Sequence, residues 1–337
     1  MIASRYIKNN NNYVYPFQIQ EKNKIRTIIT YKNDSNGTKL RRYHKRLLFK
    51  LEKFPSSKYS YAYKKKVCTK DSFKPHMKSI LFIKLDIENF FESITLEKFT
   101  SLCKKESKKI RSKPLQTCFY NNHISLGYVT SPRISDIYLY KFDKDVEAYL
   151  KSRPNLHYSR YSDDILISSE VEDYINLYSL STFIKRTLQI YGLKINESKF
   201  KEYNLNKNTS VSFLGLNLKR NEGIYEITIS KKFILKTLDL FDKIYKAKQE
   251  LEVLRIKLKD GLKIQSENIK NNIKDIFLNE FLNEERIKFR KLKNKIMLVK
   301  AEIKSRESYM RFNSPTTYER YIKKYKNKYN KDFRTRF

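Results

Sequence analysis

Tyr158-Ser159-Arg160-Tyr161-Ser162-Asp163-Asp164-Ile165-Leu166-Ile167-Ser168 is the stretch on which the fold turns. Aromatic and polar residues precede two adjacent acids and β-favouring apolar residues follow them, the pattern of two short strands joined by a tight turn. Two neighbouring carboxylates do not belong inside a strand core, because burying unpaired charge is costly. They either decorate an exposed turn or stand ready to hold a cation.

A second acidic strand lies upstream, in Ile80-Leu81-Phe82-Ile83-Lys84-Leu85-Asp86-Ile87-Glu88-Asn89-Phe90-Phe91-Glu92-Ser93-Ile94. Its apolar run has the length of a buried strand and ends in Asp86, where the chain turns helical through Phe90 and Ile94. Hard Mg²⁺ takes oxygen ligands, and paired ions roughly 4 Å apart clamp the attacking and leaving oxygens of a displacement. Asp86, Asp163 and Asp164, from two neighbouring strands, would make such a site.

These two stretches resemble motifs A and C of the reverse transcriptases. Tyr161-Ser162-Asp163-Asp164 resembles the Tyr-x-Asp-Asp box, and Asp86-Ile87-Glu88-Asn89-Phe90-Phe91 resembles the Asp-Ile-x-x-Phe-Phe form of the bacterial enzymes. Between them, Leu126-Gly127-Tyr128-Val129-Thr130-Ser131-Pro132 resembles motif B, with Leu126 where Gln is usual and Asp136 where Asn is common. Downstream, residues 191–200 resemble motif D and residues 211–218 the primer-grip hairpin. The likeness runs from about residue 20 to residue 230.

The resemblance implies an α+β right-hand polymerase: fingers over residues 1–80, a palm with a small antiparallel sheet over 81–230, and a basic α-helical thumb and tail over 231–337. It implies an RNA-directed DNA polymerase working by two-metal nucleotidyl transfer, with Asp86, Asp163 and Asp164 as ligands of two Mg²⁺ ions, which Mn²⁺ can replace, and the carbonyl of Ile87 assisting. Lys24, Arg26, Ile87, Phe91, Gly127 and Lys199 fall at nucleotide-side positions. Arg26 matches the fingers arginine on the triphosphate, Lys199 the lysine of motif D, and Phe91 the bulky side chain that excludes a ribose 2′-hydroxyl. The implied partners are an RNA template such as a structured non-coding RNA, deoxynucleoside triphosphates, the DNA product, and an accessory defence protein or a second copy of the chain.

Two departures bear on the subfamily. Residues 72–76, Ser72-Phe73-Lys74-Pro75-His76, keep only the His of the retron Asn-Ala-x-x-His, and Phe213-Leu214-Gly215 stands where retrons carry Val-Thr-Gly. Both favour the abortive-infection and other antiviral defence enzymes; retron, group II intron-like and binding-only readings stay open.

Composition agrees with a polyanion partner. The chain has 337 residues, 40% of them apolar, and 72 Lys and Arg against 36 Asp and Glu leave a net charge of +36. A field of that sign steers polyanions in, although heavy use of Lys, Asn, Ile and Tyr also reflects AT-rich coding. Cys68, Cys103 and Cys118 have no metal-binding spacing and leave one unpaired in any disulfide scheme. No stretch offers 18 uncharged apolar residues, and the expectation is a bacterial cytoplasmic protein away from membranes.

Local patterns complete the reading. Residues 24–28 alternate cations with apolar residues as a half-exposed strand, and residues 39–54 repeat Leu40, Tyr43, Leu47, Leu48 and Leu51 at helical spacing among Arg and Lys. Residues 59–76 interleave tyrosines and lysines suited to bases and phosphates. Residues 95–120 read as helical, two long amphipathic helices follow residue 231, and Tyr321, Tyr325, Tyr329 and Phe333 alternate with cations at the end.

Overall fold

The computed structural model describes residues 12–21, 24–207, 210–270 and 276–323. Lys22 and Asn23, the Asn9–Asn11 run and the tail residues Tyr325, Tyr329 and Phe333 lie outside these, as does the side chain of Lys24. The chain divides into two compact units, Met1–Leu214 with Leu218–Glu226, and Gly215–Asn217 with Ile227–Phe337.

The first unit begins with an antiparallel hairpin, β1 (Val14–Glu21) and β2 (Lys24–Tyr31), in register from Val14 opposite Tyr31 to Glu21 opposite Lys24. Helix α1 (Ser35–Leu51) follows. It starts earlier than its apolar spacing suggests because the Asp34 carboxylate accepts from the Gly37 amide at 2.8 Å and caps the first turn. It ends ahead of Pro55, whose ring disfavours helical conformation in the residue before it.

Four strands then form the sheet that carries the acids: β3 (Leu81–Asp86), β6 (Leu156–Tyr161), β7 (Asp164–Ser169) and β8 (Lys201–Asn204), in the order β6-β7-β3-β8 and antiparallel throughout. Between β3 and β6 lie four short helices, α2 (Phe90–Ser93), α3 (Leu96–Leu102), α4 (Lys104–Ile110) and α5 (Ser112–Gln116), a two-residue pair β4 (Phe119–Tyr120) and β5 (His123–Ile124), and the long helix α6 (Ser131–Leu150). The helical reading of residues 95–120 is therefore corrected in part. Arg111 adopts a left-handed φ of 73°, which breaks the helix there, and Phe119 and Tyr120 are extended.

Strand periodicity sorts the two faces of the sheet. Leu81, Ile83 and Leu85 of β3, with Ile165 and Ile167 of β7, share one core with Leu139, Phe142 and Val146 of α6 and Leu177, Leu180, Ile184 and Leu188 of α7 (Tyr174–Ile190). Phe82, Lys84 and Asp86 alternate with them onto the other face, where the 3-10 segment Thr69–His76 brings the His76 ring 6.1 Å from that of Phe82. A carboxylate that ends such a strand is thus held by a rigid, doubly covered scaffold.

Residues 211–229 form β9 (Val211–Phe213), β10 (Leu216–Asn221) and β11 (Ile224–Ile229), in the order β11-β10-β9. Leu214 and Gly215 between the first two have φ of 52° and 82°, the turn expected of the hairpin there. The second unit is dominated by α8 (Lys231–Lys270) and α9 (Ile276–Asn313), which pack together and bury Leu240, Ala247, Leu282, Ile296 and Ile303. No helix among the described residues is long and apolar enough to cross a membrane.

Candidate active site

The central strand and the acidic hairpin meet as their sequences require. Asp86 pairs with Asp164 in the β3–β7 register, and Tyr161 pairs with Asp164 across a two-residue turn made of Ser162 and Asp163. Ser162 has a φ of 61°, the left-handed first position that a II′-like hairpin turn demands and that a non-glycine residue adopts only under constraint. The constraint is visible: Tyr63 Oη and Ser162 Oγ are 2.8 Å apart, and Arg160 Nη1 donates to the Ser162 carbonyl at 3.2 Å.

Backbone bonds fix the strand end. The Ile87 amide donates to the Asp163 carbonyl at 2.9 Å, the Asn196 amide to the Asp86 carbonyl at 2.8 Å, and the Glu88 amide to the Lys194 carbonyl at 2.8 Å. Ile87 itself is buried. Motif D therefore reaches the acids through the main chain as well as through Lys199.

Two ammonium groups neutralise the acids. Lys199 Nζ lies 2.8 and 3.0 Å from the two oxygens of Asp86, whose side chain is only 9% exposed, and Lys84 Nζ lies 3.0 Å from Asp164 Oδ1. Burial, then the charges of Asp164 and Asp86, raise the Asp163 carboxyl above its ordinary range. Burial raises Asp164 too, against the pull of Lys84. Three crowded carboxylates with only two lysines among them still favour a cation, and their all-oxygen chemistry suits a hard divalent ion. Among the described residues, no three His, Cys, Asp or Glu side chains already sit in ligating positions.

The other expected nucleotide-side residues occupy distinct places. Arg26 is exposed on β2, about 10 Å along the strand from Ile29. The Ile29 amide donates to the Leu126 carbonyl at 2.8 Å, joining the β1–β2 hairpin to motif B. Gly127 follows with a φ of 103°, and a Cβ there would stand 2.4 Å from the Ile29 carbonyl oxygen, so only glycine fits. Leu126 acts in this junction through its backbone, which a glutamine would share. Phe90 is buried, while Phe91 is half-buried with its ring edge-to-face to Phe90 at 5.4 Å.

Beneath the hairpin lies a buried ionic cluster that sequence patterns did not reveal. Arg160 donates to both oxygens of Asp143 at 2.9 and 2.7 Å and to Asp136 Oδ1 at 3.3 Å, while Tyr158 Oη donates to Asp143 at 2.7 Å. Asp136 also accepts from Ser56 and Ser60, both at 2.7 Å, and from Arg133. Burial works against the Arg160 charge, but Asp143 outweighs it and raises the guanidinium pKa. Asp136, in place of the commoner Asn, supplies a charge to this cluster and ties motif B to the strand bearing the hairpin. His76 bridges Ser168 and Ser159 through its two ring nitrogens at 2.6 and 2.8 Å, which gives that residue a structural role on the acid face of the sheet.

A family model described as reverse transcriptase (RNA-dependent DNA polymerase) matches residues 15–218, well over half of the chain. The chain belongs to the reverse transcriptase family. It is accordingly an α+β right-hand polymerase fold with a helical region after the palm, and the family uses divalent metal ions. Curated relatives include two retron reverse transcriptases of Escherichia coli: that of retron Ec83, 32% identical over 138 residues (37% of this chain, 43% of the relative), and that of retron Ec86, 29% identical over 153 residues (44% and 46%). The chain spans less than half the length of either. The departures at residues 72–75 and 213–215 thus coexist with clear retron similarity. Among solved structures, apo telomerase from Candida tropicalis aligns over 65% of this chain and 48% of its own, at 13% identity and a TM-score of 0.49.

Proposed function

We propose that this chain is an RNA-directed DNA polymerase of the retron kind, making complementary DNA from a structured RNA in the bacterial cytoplasm as part of antiviral defence. The observation that carries the reading is the register that sets Asp86 beside Asp164, with Asp163 at the adjoining turn, inside a reverse-transcriptase domain. The similarity to retron enzymes supports the subfamily and the RNA partner.

Asp86 and Asp163 would be the principal holders of Mg²⁺, with Asp164 as the weaker third because Lys84 already neutralises it. Bound divalent ions supply the charge that acidifies a primer 3′-hydroxyl and offsets the triphosphate. The protein's own groups do the rest. Arg26, exposed on the fingers hairpin, binds phosphate oxygens; Gly127 lets the motif B backbone approach the paired nucleotide; Phe91 fills the space a 2′-hydroxyl would need. Lys199 pairs with Asp86 here, so a divalent ion held by that carboxylate would compete with its ammonium, which would then be free to meet a phosphate oxygen.

Primer extension by the purified chain on RNA and on DNA templates, with dNTPs and with NTPs, tests the reading. Incorporation of dNTPs on primed RNA supports it. Absence of incorporation on every primed template, with nucleic acid still bound, would favour a polymerase fold retained for binding alone.

A further inference from the structure

We infer that α1 carries a second polyanion site, separate from the acids, that grips the phosphodiester backbone of an RNA segment that is not being copied. The site is a groove of about 490 Å³ lined by Lys39, Arg42, Tyr43, Arg46 and Lys50 and bounded by Pro114 of α5. At 100° per residue the four cations fall within one narrow stripe of the helix, beside the buried stripe of Leu40, His44, Leu47 and Leu51.

All four cations are exposed, and no carboxylate among the described residues pairs with any of them. Cations elsewhere in this unit do find acids: Lys58 and Lys144 both reach Glu147. Helix α1 holds no acid at all, and residues 104–113, which lead in sequence to Pro114 at the groove's edge, carry six more cations against Glu106 alone. Arg42, Arg46 and Lys50 are like charges at successive i,i+4 positions, an arrangement that opposes helix formation. Such a stripe costs the fold stability and returns it only when an anion lies in the groove.

The geometry suits a nucleic-acid strand. From Lys39 to Lys50 the helix rises about 16 Å, over which a strand with one phosphate per roughly 3.4 Å of duplex axis presents four to five charges. Two of the four cations are arginines, whose planar forks hold phosphate in a bidentate way. The occupant is RNA because, on the proposed function, RNA is present before any DNA is made; naming RNA rests on that reading, while the groove itself does not.

The test is the salt dependence of binding to a primer-free hairpin RNA with single-stranded flanks. The full chain is compared with a groove variant, Arg42→Gln, Arg46→Gln and Lys50→Gln, and with a control of equal charge loss on α6, α7 and the turn between α6 and β6, Lys141→Gln, Lys151→Gln and Arg186→Gln. Each lost phosphate contact lowers the slope of log affinity against log salt by about 0.7 to 0.9, so the groove variant is expected to lose roughly two units or more and the control well under one. Equal losses in the two variants overturn the site, because they would report net charge alone. All six side chains are exposed, and matching circular dichroism and melting curves verify folding. Restored slope in Arg42→Lys, Arg46→Lys supports phosphate contact, and no restoration overturns it. Failure of the polymerase reading shows separately, as absent dNTP incorporation by the unmodified chain, and leaves the slope comparison intact.

Discussion

Lys199 grasps both carboxylate oxygens of Asp86, at 2.8 and 3.0 Å, so a protein cation occupies the carboxylate proposed to hold a divalent ion. Lys199→Met should therefore act in opposite directions on two measurements. Divalent binding to the nucleotide-free protein, followed by Mn²⁺ water relaxation, should tighten by two- to fivefold, since a half-exposed ion pair is worth only about 0.4 to 1 kcal/mol. dNTP incorporation at saturating metal should slow. Weaker Mn²⁺ binding in the variant would show that Lys199 supports the site rather than competes for it.

The Arg160 and Asp143 pair underlies the hairpin and should be unforgiving of single changes. Asp143→Ala leaves a buried guanidinium short of its main partner and is expected to cost about 3 to 5 kcal/mol. Arg160→Met with Asp143→Leu removes both charges and should be less damaging than Asp143→Ala alone. Urea unfolding of the wild type and the two variants checks this, and a double variant at least as destabilised as Asp143→Ala would exclude the coupling.

Buried histidines set an acid limit. Burial lowers His76 to about 3 and His44 to about 4, against an ordinary value of 6.5. Between 6.5 and those values the unfolded chain binds protons that the folded chain does not, so each histidine makes stability fall as the pH drops through that window, by up to about 1.4 kcal/mol per unit. His76→Gln should start less stable at pH 7 and show a shallower decline to pH 5. Parallel unfolding curves for wild type and variant across that range would remove His76 from the explanation.

Much of this was legible in the sequence, because the decisive signals are local. The apolar run ending in Asp86, the acidic pair between two β-favouring stretches, and the glycine before Ser131-Pro132 each describe their surroundings within ten residues, and β3, the β6–β7 hairpin and α6 follow. The long periodic stretches after residue 231 likewise became α8 and α9. What stayed hidden depends on partners far apart in the chain. Lys84 is one lysine among dozens until β3 pairs with β7 and sets it against Asp164, and Tyr63 meets Ser162 across 99 positions. Asp136 looked like a departure from a motif; only the folded arrangement of Arg160, Arg133, Ser56 and Ser60 reveals an ionic cluster.

Phe91 is half-buried beside the fully packed Phe90, a position compatible with both sugar selection and packing, and the two roles separate cleanly. If the ring excludes the 2′-hydroxyl, Phe91→Val raises the ratio of kcat/KM for ATP to that for dATP by tenfold or more, about 1.4 kcal/mol, even as total activity falls. The ratio cancels loss of folded protein. An unchanged ratio would assign Phe91 to the core.

The catalytic assignment itself rests on the acids, and single-nucleotide incorporation on a primed RNA by Asp163→Asn addresses it most directly. Amide for carboxylate keeps the side chain's size and the hairpin backbone but removes the charge that a divalent ion needs. The expected result is a rate at least a thousandfold below wild type, about 4 kcal/mol or more in activation free energy, with RNA affinity within a fewfold of wild type. Incorporation at the wild-type rate by this variant would contradict the account.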